Sequence, residues 1–155
     1  MTPEEHARSL LNHHWDGELP VNPIDIANKI GVRVFADQTM VGTSQSGRLS
    51  ADGSGPIILV NAADSNVRRR FTIAHELGHH VLEHGPAFRR SDLGYNPSNY
   101  DLQEVHANRF AAELLMPASL VQKARDVGYL LPGMAALFGV SETAIRIRLT
   151  QQNLL

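Results

Sequence analysis

Residues 71–80 read Phe-Thr-Ile-Ala-His-Glu-Leu-Gly-His-His, a stretch that contains three of the eight histidines of the chain. His75 and His79 are four residues apart, so on a helix both imidazoles project from one face and can bind a single cation. Glu76 follows the first histidine and lies beside that face, where a carboxylate can accept a proton from metal-activated water. One helical turn therefore supplies two metal ligands and a general base, the pattern of a hydrolytic metal site.

The third protein ligand of this site is predicted to be Glu104, on a separate helix. The chain contains no cysteine, so an open catalytic site needs a histidine or a carboxylate in that place. Glu104 shares a helix face with Ala107 and Ala111, and these small residues allow that helix to approach the metal helix closely. Asn108, one turn after Glu104, is predicted to hydrogen-bond the outer nitrogen of a ligating histidine.

Other histidines and acids near the two helices are alternative candidates. His84 lies nine residues after His75 and points away from it on an unbroken helix, so it could bind the metal only if the chain turned near Gly78. His106 lies two positions after Glu104, faces elsewhere and is predicted at the surface. The remaining neighbours, expected in solvent or off the ligand face, are His80, Glu83 and Glu113.

The metal ion predicted from this ligand set is Zn²⁺. Two neutral imidazoles and one carboxylate suit zinc, although Mn²⁺ or Fe²⁺ can occupy the same set. The predicted reaction is hydrolysis of a peptide bond by metal-activated water, with Glu76 as the catalytic base. Candidate donors to the developing oxyanion are Tyr95, Tyr100 and His84.

Composition limits the class of protein. The 155 residues fit one domain, predicted over residues 1–155 with a helical C-terminal substructure at 118–155. Lys and Arg number 14 against 16 for Asp and Glu, a balance that argues against direct nucleic-acid binding. No apolar run is long enough to cross a membrane, and the N-terminus lacks a signal-peptide core, so we expect a cytoplasmic protein.

The pattern of apolar residues predicts an α+β fold, in which a small antiparallel sheet packs on helices. Helices are predicted at about 3–15, 23–30, 65–85, 101–116, 118–127, 133–138 and 141–151, and strands at 32–36, 44–50 and 56–61. The intervening stretch 86–100 is rich in Ser, Asn, Arg, Gly and Pro and is long enough to be a functional loop or lid.

Residues 134–149 have the pattern of a helix-turn-helix. Gly139 is predicted to make the turn and Ser141 to cap the second helix, with Ile145 and Leu149 packed inward. One interpretation is DNA recognition by the second helix, through Arg146 and Arg148. The other is a helical hairpin that completes the core, which the acidic balance of the chain favours.

A run of three arginines, Arg68, Arg69 and Arg70, begins the metal helix. Positive charge in the first turn opposes the helix dipole and needs compensation. A solvated face is the commonest explanation of such a run. Pairing with acidic residues of the fold, or an anchor for an acidic substrate segment, are the alternatives.

The residues of both helices resemble those of the ImmA/IrrE metallopeptidases. The matching motifs are His-Glu-Leu-Gly-His at 75–79, followed by Leu82 and His84, and the block from Glu104 through Phe110 to Met116-Pro117. The resemblance implies a zincin-like domain whose gluzincin-like site binds metal through His75, His79 and Glu104, with Glu76 as base. It also implies a substrate: family members typically cleave a helix-turn-helix transcriptional repressor and so derepress its genes.

The function predicted from the sequence is therefore that of a zinc-dependent metallo-endopeptidase. Its protein substrate is expected to bind in extended form along the strand near residues 44–50, where Gly47 leaves room for another backbone. The alternative is a non-catalytic regulatory or antitoxin-like binding module, which could contact DNA through the C-terminal segment. Glu76 favours the enzyme, because a scaffold would not need a carboxylate at that position.

Overall fold

The computed structural model describes residues 1–84 and 97–155, and for residues 97–101 it describes the backbone alone. Helices and strands follow one another in the order α1 Pro3–His14, α2 Pro23–Lys29, β1 Arg33–Asp37, β2 Gly47–Asp52, β3 Gly55–Asn61, α3 Asn66–Val81, α4 Pro97–Leu115, α5 Ala118–Asp126, α6 Leu131–Phe138 and α7 Glu142–Gln151. A 3-10 turn, Gln38–Met40, follows β1. The predicted α+β class is confirmed.

The sheet is mixed, and this corrects the prediction of a purely antiparallel sheet. β2 and β3 form an antiparallel hairpin in which Gly47 is paired with Val60. β1 runs parallel to β3, with Arg33 beside Ile57, and the strand order is β1-β3-β2. The chain leaves β1, passes to the far side of the sheet as β2 and returns through the centre as β3. β1 and β2 are therefore both edge strands.

Side-chain caps determine where several helices begin. Thr2 and Glu5 form a reciprocal capping box at α1, in which each side chain accepts a hydrogen bond from the other residue's backbone N–H. Asn22 caps α2, and Pro23 occupies its first position. The hydroxyl of Ser65 caps α3, the helix that carries the histidine pair. Local sequence is sufficient to place these starts.

The helix pair α3–α4 forms the centre of the core. Leu77 on α3 and Phe110 and Leu114 on α4 are fully buried, and Ile58 packs in the same cluster from the sheet. A Cβ atom on Gly78 would lie 2.9 Å from the Phe110 ring, so the two helices can approach this closely only because residue 78 has no side chain. This close approach brings α4 alongside the histidines of α3.

The C-terminal helices form the predicted turn. Gly139 adopts the left-handed conformation with φ +65°, and Ser141 caps α7. Ile145 and Leu149 are buried, which confirms that this face of α7 packs inward. Arg148, expected on an exposed recognition face, is buried as well, so it is not available to contact DNA.

Arg148 is paired with Glu113, which was expected in solvent and is 2% exposed. The Arg148 guanidinium donates to the Glu113 carboxylate at 2.8 Å and to the Met116 carbonyl at 3.0 Å. The other Glu113 oxygen accepts a hydrogen bond from the Ala118 backbone N–H at 3.1 Å. Arg8 on α1 lies 3.5 Å from the same carboxylate. Glu113 therefore joins α1, α4, α5 and α7, a role that its neighbours along the chain do not indicate.

The predicted solvated face at residues 68–70 holds for its first arginine only. Arg68 is exposed and donates to the Ser46 hydroxyl at 2.9 Å, with Asp64 at 3.4 Å. Arg70 is partly buried and donates to backbone carbonyls instead. The α3 helix thus turns part of this basic run toward the protein.

The predicted loop at residues 86–100 lies largely outside the described residues, and Tyr95 lies outside them altogether. Where the description resumes at Pro97 the backbone is already helical, so α4 begins there rather than at Asp101. For Tyr100 the backbone in α4 is described and the side chain is not. None of the helices in the described ranges is long and apolar enough to span a membrane.

Candidate metal centre

Three predicted ligands meet between α3 and α4. The Nε2 atoms of His75 and His79 lie 3.1 Å apart. One carboxylate oxygen of Glu104 lies 2.9 Å from the His75 nitrogen, and the other lies 2.9 Å from the His79 nitrogen. All three ligand atoms fall within 4.8 Å of one another. In the described part of the chain this is the one group of three or more His, Asp or Glu side chains with such spacing.

These separations fit a small divalent cation. Zinc–nitrogen bonds of 2.0–2.1 Å at a tetrahedral angle place two ligand atoms about 3.3 Å apart. The observed 2.9–3.1 Å is close to that value. Two imidazole nitrogens that face one carboxylate also have the chemistry of a zinc, iron or manganese site. The residues present therefore fit the metal that the sequence predicts.

Burial differs among the three side chains. His79 is 1% exposed, whereas the His75 side chain is 17% and the Glu104 side chain 31% exposed. The site thus has one buried wall and one side open to solvent, which leaves room for a substrate. Beside it, burial lowers the pKa of His80, so that this neighbour stays mainly neutral at pH 7.

Glu76 is buried next to the ligands, at 7% exposure. Strand β2 lies beside it: a Cβ atom on Gly47 would lie 3.9 Å from the Glu76 Cγ and 2.4 Å from the Thr72 methyl group. The first residue of β2 therefore contacts the same two turns of α3 that carry the histidines and the glutamate. Only glycine permits this approach of α3, whereas the sequence predicted that Gly47 leaves room for the backbone of a substrate.

Asn108 does not take the predicted place behind a ligating histidine. It is exposed and lines a surface pocket together with Glu4 and Arg109. Among the described residues the buried Nδ1 of His75 has no hydrogen-bond partner. The reason is geometric: Ala107 faces α3 and is fully buried, so the next residue is rotated by about 100° toward the outside.

His84 lies closer to the site than its position in the sequence indicates. Its ring centroid is 5.6 Å from that of His79, and the His106 ring stacks on its other side at 6.4 Å. The chain turns at Glu83, which has φ +62°, and not at Gly78. Gly85 and Pro86 indicate in the sequence that the helix ends nearby, but the left-handed residue is Glu83, so the local sequence does not mark the turn itself. His106 is partly buried against His84 and partly exposed.

Comparison with known proteins gives three findings. Residues 27–150 match the Peptidase M78 family, described as the IrrE N-terminal-like domain. The "Uncharacterized immunity region protein 2" of Bacillus phage phi105 is 29% identical over 122 residues, which are 77% of this chain and 73% of that protein. A solved structure named "Mycobacterium tuberculosis transcriptional regulator" superposes with a TM-score of 0.65 at 18% identity.

The structural match covers 96% of this chain and 46% of the Mycobacterium tuberculosis protein, so the chain spans less than half the length of that regulator. At this identity the likeness concerns the fold alone. The family match covers most of the chain, including α3, α4 and the three side chains that converge between them. The chain therefore belongs to the IrrE N-terminal-like family, Peptidase M78.

Proposed function

We propose that this protein is a zinc-dependent endopeptidase that cleaves a helix-turn-helix transcriptional repressor. The observation that carries the proposal is the convergence of His75, His79 and Glu104 beside the buried carboxylate of Glu76. Membership of a peptidase family supports hydrolysis of a peptide bond as the reaction. His75, His79 and Glu104 would hold the ion.

A divalent ion in this place supplies a Lewis acid for the scissile carbonyl and lowers the pKa of a water molecule. Glu76 would accept the proton of that water and deliver it to the departing amine. Its burial keeps bulk solvent away from the carboxylate, which strengthens the interaction with nearby positive charge. The partly exposed Glu104 leaves one side of the site open for the peptide.

The free edge of β2 is the proposed binding surface for the peptide. The Asn61 N–H donates to the Ser46 carbonyl at 2.8 Å, and hydrogen-bonded pairs alternate along the hairpin from there. Gly47, Leu49 and Ala51 therefore direct their backbone N–H and C=O groups away from β3. An extended substrate can add to this edge as a further strand, and its chain then passes the Gly47–Glu76 contact.

The substrate class rests on the relatives. A phage immunity-region protein is 29% identical over 122 residues, and the resemblance to the ImmA/IrrE metallopeptidases implies a helix-turn-helix repressor as the substrate. We infer that the substrate is such a repressor, which would place the reaction in the cytoplasm. Burial of Arg148 supports action on the repressor protein rather than on its DNA.

The decisive experiment incubates the purified protein and one equivalent of Zn²⁺ with the helix-turn-helix repressor encoded beside its gene. We expect specific cleavage, abolished by a chelator and restored by zinc. Glu76→Gln should retain zinc but lose about 10²–10⁴-fold in rate, because the amide cannot accept a proton. Glu142→Gln, an exposed glutamate on α7, is the matched control and should cleave normally. Equal rates for Glu76→Gln and the unaltered protein would contradict the proposal.

A further inference from the structure

A second cavity lies on the side of the sheet away from β2. It is bounded by α2, β1 and the first turns of α3 and has a volume of about 470 Å³, within the range of small-molecule sites. Its walls include the apolar side chains of Ile24, Val34 and Ile73. We call it the α2–β1 cavity. None of the candidate metal ligands lines it.

Two arginines line this apolar cavity, and none of its lining residues in the described part of the chain is acidic. Among the described residues no carboxylate lies within 4.0 Å of the Arg69 or Arg70 guanidinium, whereas the neighbouring Arg68 has Asp64 at 3.4 Å. Asn66, the first residue of α3, lines the same cavity, and the first turn of α3 contains no acid to offset the helix dipole. The positive charge here is thus not balanced by the described part of the protein.

The two guanidinium groups differ in their hydrogen bonds. Arg70 donates to the carbonyls of Val21 at 2.6 Å and Gly139 at 3.0 Å and so joins the segment before α2 to the C-terminal helices. Burial lowers the pKa of Arg70, as expected for a cation without a carboxylate partner. Within the described ranges, Arg69 donates one long hydrogen bond, of 3.4 Å, to the Ala62 carbonyl. The guanidinium of Arg70 is therefore used in hydrogen bonds within the fold, whereas that of Arg69 has N–H donors available to bind a ligand.

We propose that the α2–β1 cavity binds a small amphipathic anion, with an apolar body against Ile24, Val34 and Ile73 and a carboxylate on Arg69. A guanidinium fork suits a carboxylate because it can donate two parallel hydrogen bonds. An apolar body is required because the other walls offer few polar partners. The site is independent of the proposed peptidase reaction.

Titration calorimetry on the full chain at pH 7 tests the proposal with octanoate as the probe. We expect a dissociation constant in the millimolar range or below. Acetate carries the charge alone and 1-octanol the apolar chain alone, so both should bind at least about tenfold more weakly. The carboxylate could belong to a small acid or to the C-terminus of a peptide. Acetylated tetrapeptides of apolar residues distinguish the two sources: if a chain terminus is bound, the peptide with a free C-terminus should bind more tightly than octanoate and the amidated peptide should not.

Two arginine variants on the same helix distinguish a specific binding site from non-specific attraction to positive charge. Arg69→Ala should weaken octanoate binding about tenfold or more and leave 1-octanol unaffected, since one charge-assisted contact is lost. Arg68→Ala, adjacent but outside the cavity, should bind octanoate normally. Ile24→Ser should weaken both ligands. Absence of octanoate binding, unchanged affinity in Arg69→Ala, or an equal loss in Arg68→Ala would each overturn the proposal. Thermal unfolding of every variant checks that the fold is intact.

Discussion

The imidazole of His84 packs against that of His79, with ring centroids 5.6 Å apart, although His84 lies beyond the last residue of α3. The chain reverses at Glu83, whose φ of +62° places it in the left-handed region. The His84 N–H then donates to the His79 carbonyl, which closes the end of the helix. A residue that a straight helix would direct away from the metal centre therefore forms part of its wall.

Glycine should be tolerated at position 83 better than any other residue. A Cβ atom in the left-handed region costs about 1–2 kcal/mol, which glycine avoids. Part of this stabilisation is lost because glycine makes the unfolded chain more flexible. We expect Glu83→Gly to change the free energy of unfolding by about 0 to +1 kcal/mol. Glu83→Val should lower the free energy of unfolding by more than about 1 kcal/mol, because a β-branched residue is strained in this conformation. Urea unfolding measures both, and equal stability of the two variants would show that the turn is not strained.

Removal of Glu104 should weaken zinc binding. It is the one carboxylate that contacts both histidines in the described structure, so Glu104→Ala should raise the zinc dissociation constant by at least the roughly 10–100-fold seen when a supporting residue is lost. Competition with a chromophoric chelator measures the constant. His106→Ala is the control, since His106 stacks on His84 and is not in the ligand group. The ligand assignment is wrong if the two variants bind zinc equally well.

A proline at Ala51 should impair substrate binding without loss of the sheet. The Ala51 N–H is directed away from β3, so its removal breaks no β2–β3 hydrogen bond but denies one to an added strand. We expect kcat/KM for the repressor to fall about tenfold, with unchanged zinc content. Ala51→Ser keeps the N–H and should be normal. Gly47 is unsuited to this test, because any side chain there would meet Thr72. Normal cleavage by Ala51→Pro would exclude this edge as the binding surface.

Disruption of the Glu113–Arg148 pair should destabilise the whole fold. Both side chains are more than nine-tenths buried, and loss of one leaves the other charge buried without its partner. Arg148→Met should lower the free energy of unfolding by about 3–5 kcal/mol, and a second change, Glu113→Leu, should restore part of it. Arg146→Met, on the exposed face of the same helix, should cost less than about 0.5 kcal/mol. A small effect of Arg148→Met in denaturant titrations would show that the pair contributes little.

The ion pair between Glu4 and Arg109 should add to stability at neutral pH and be lost in acid. Arg109 donates to both Glu4 oxygens, at 2.7 and 2.8 Å, and these hydrogen bonds lower the pKa of Glu4 below its ordinary 4.5. The unfolded chain therefore binds a proton first as the pH falls, so the contribution is complete above pH 4.5 and declines as the pH falls below it. Because both side chains are partly exposed, Glu4→Gln should cost at most about 1 kcal/mol at pH 7. The free energy of unfolding of Glu4→Gln should also fall less steeply below pH 4.5 than that of the unaltered protein. Equal slopes of the two curves in acid would contradict this.

Local sequence determined those features that depend on neighbours within a few residues. The i, i+4 spacing of His75 and His79 follows from helix geometry alone, and so does the common face of Glu104 and Ala107. The caps at Asn22 and Ser141 are equally local, since each side chain bonds to backbone in its own helix. These features could be predicted, and the structure brings the candidate ligands together as expected. Their role in metal binding stays a prediction.

Tertiary structure alone decided the features that depend on contacts between distant segments. The alternating pattern of β1 indicates a strand but not its direction, which follows from the path of the chain through the hairpin. The outward rotation of Asn108 follows from the tight packing of α4 on α3. The burial of Glu113 depends on Arg148, 35 positions away, and the cavity at Arg69 exists because α2 and β1 meet α3 there. The spacing of apolar residues within one segment indicates which face of it is buried. The partner of a charged side chain, however, depends on which distant segment packs against it.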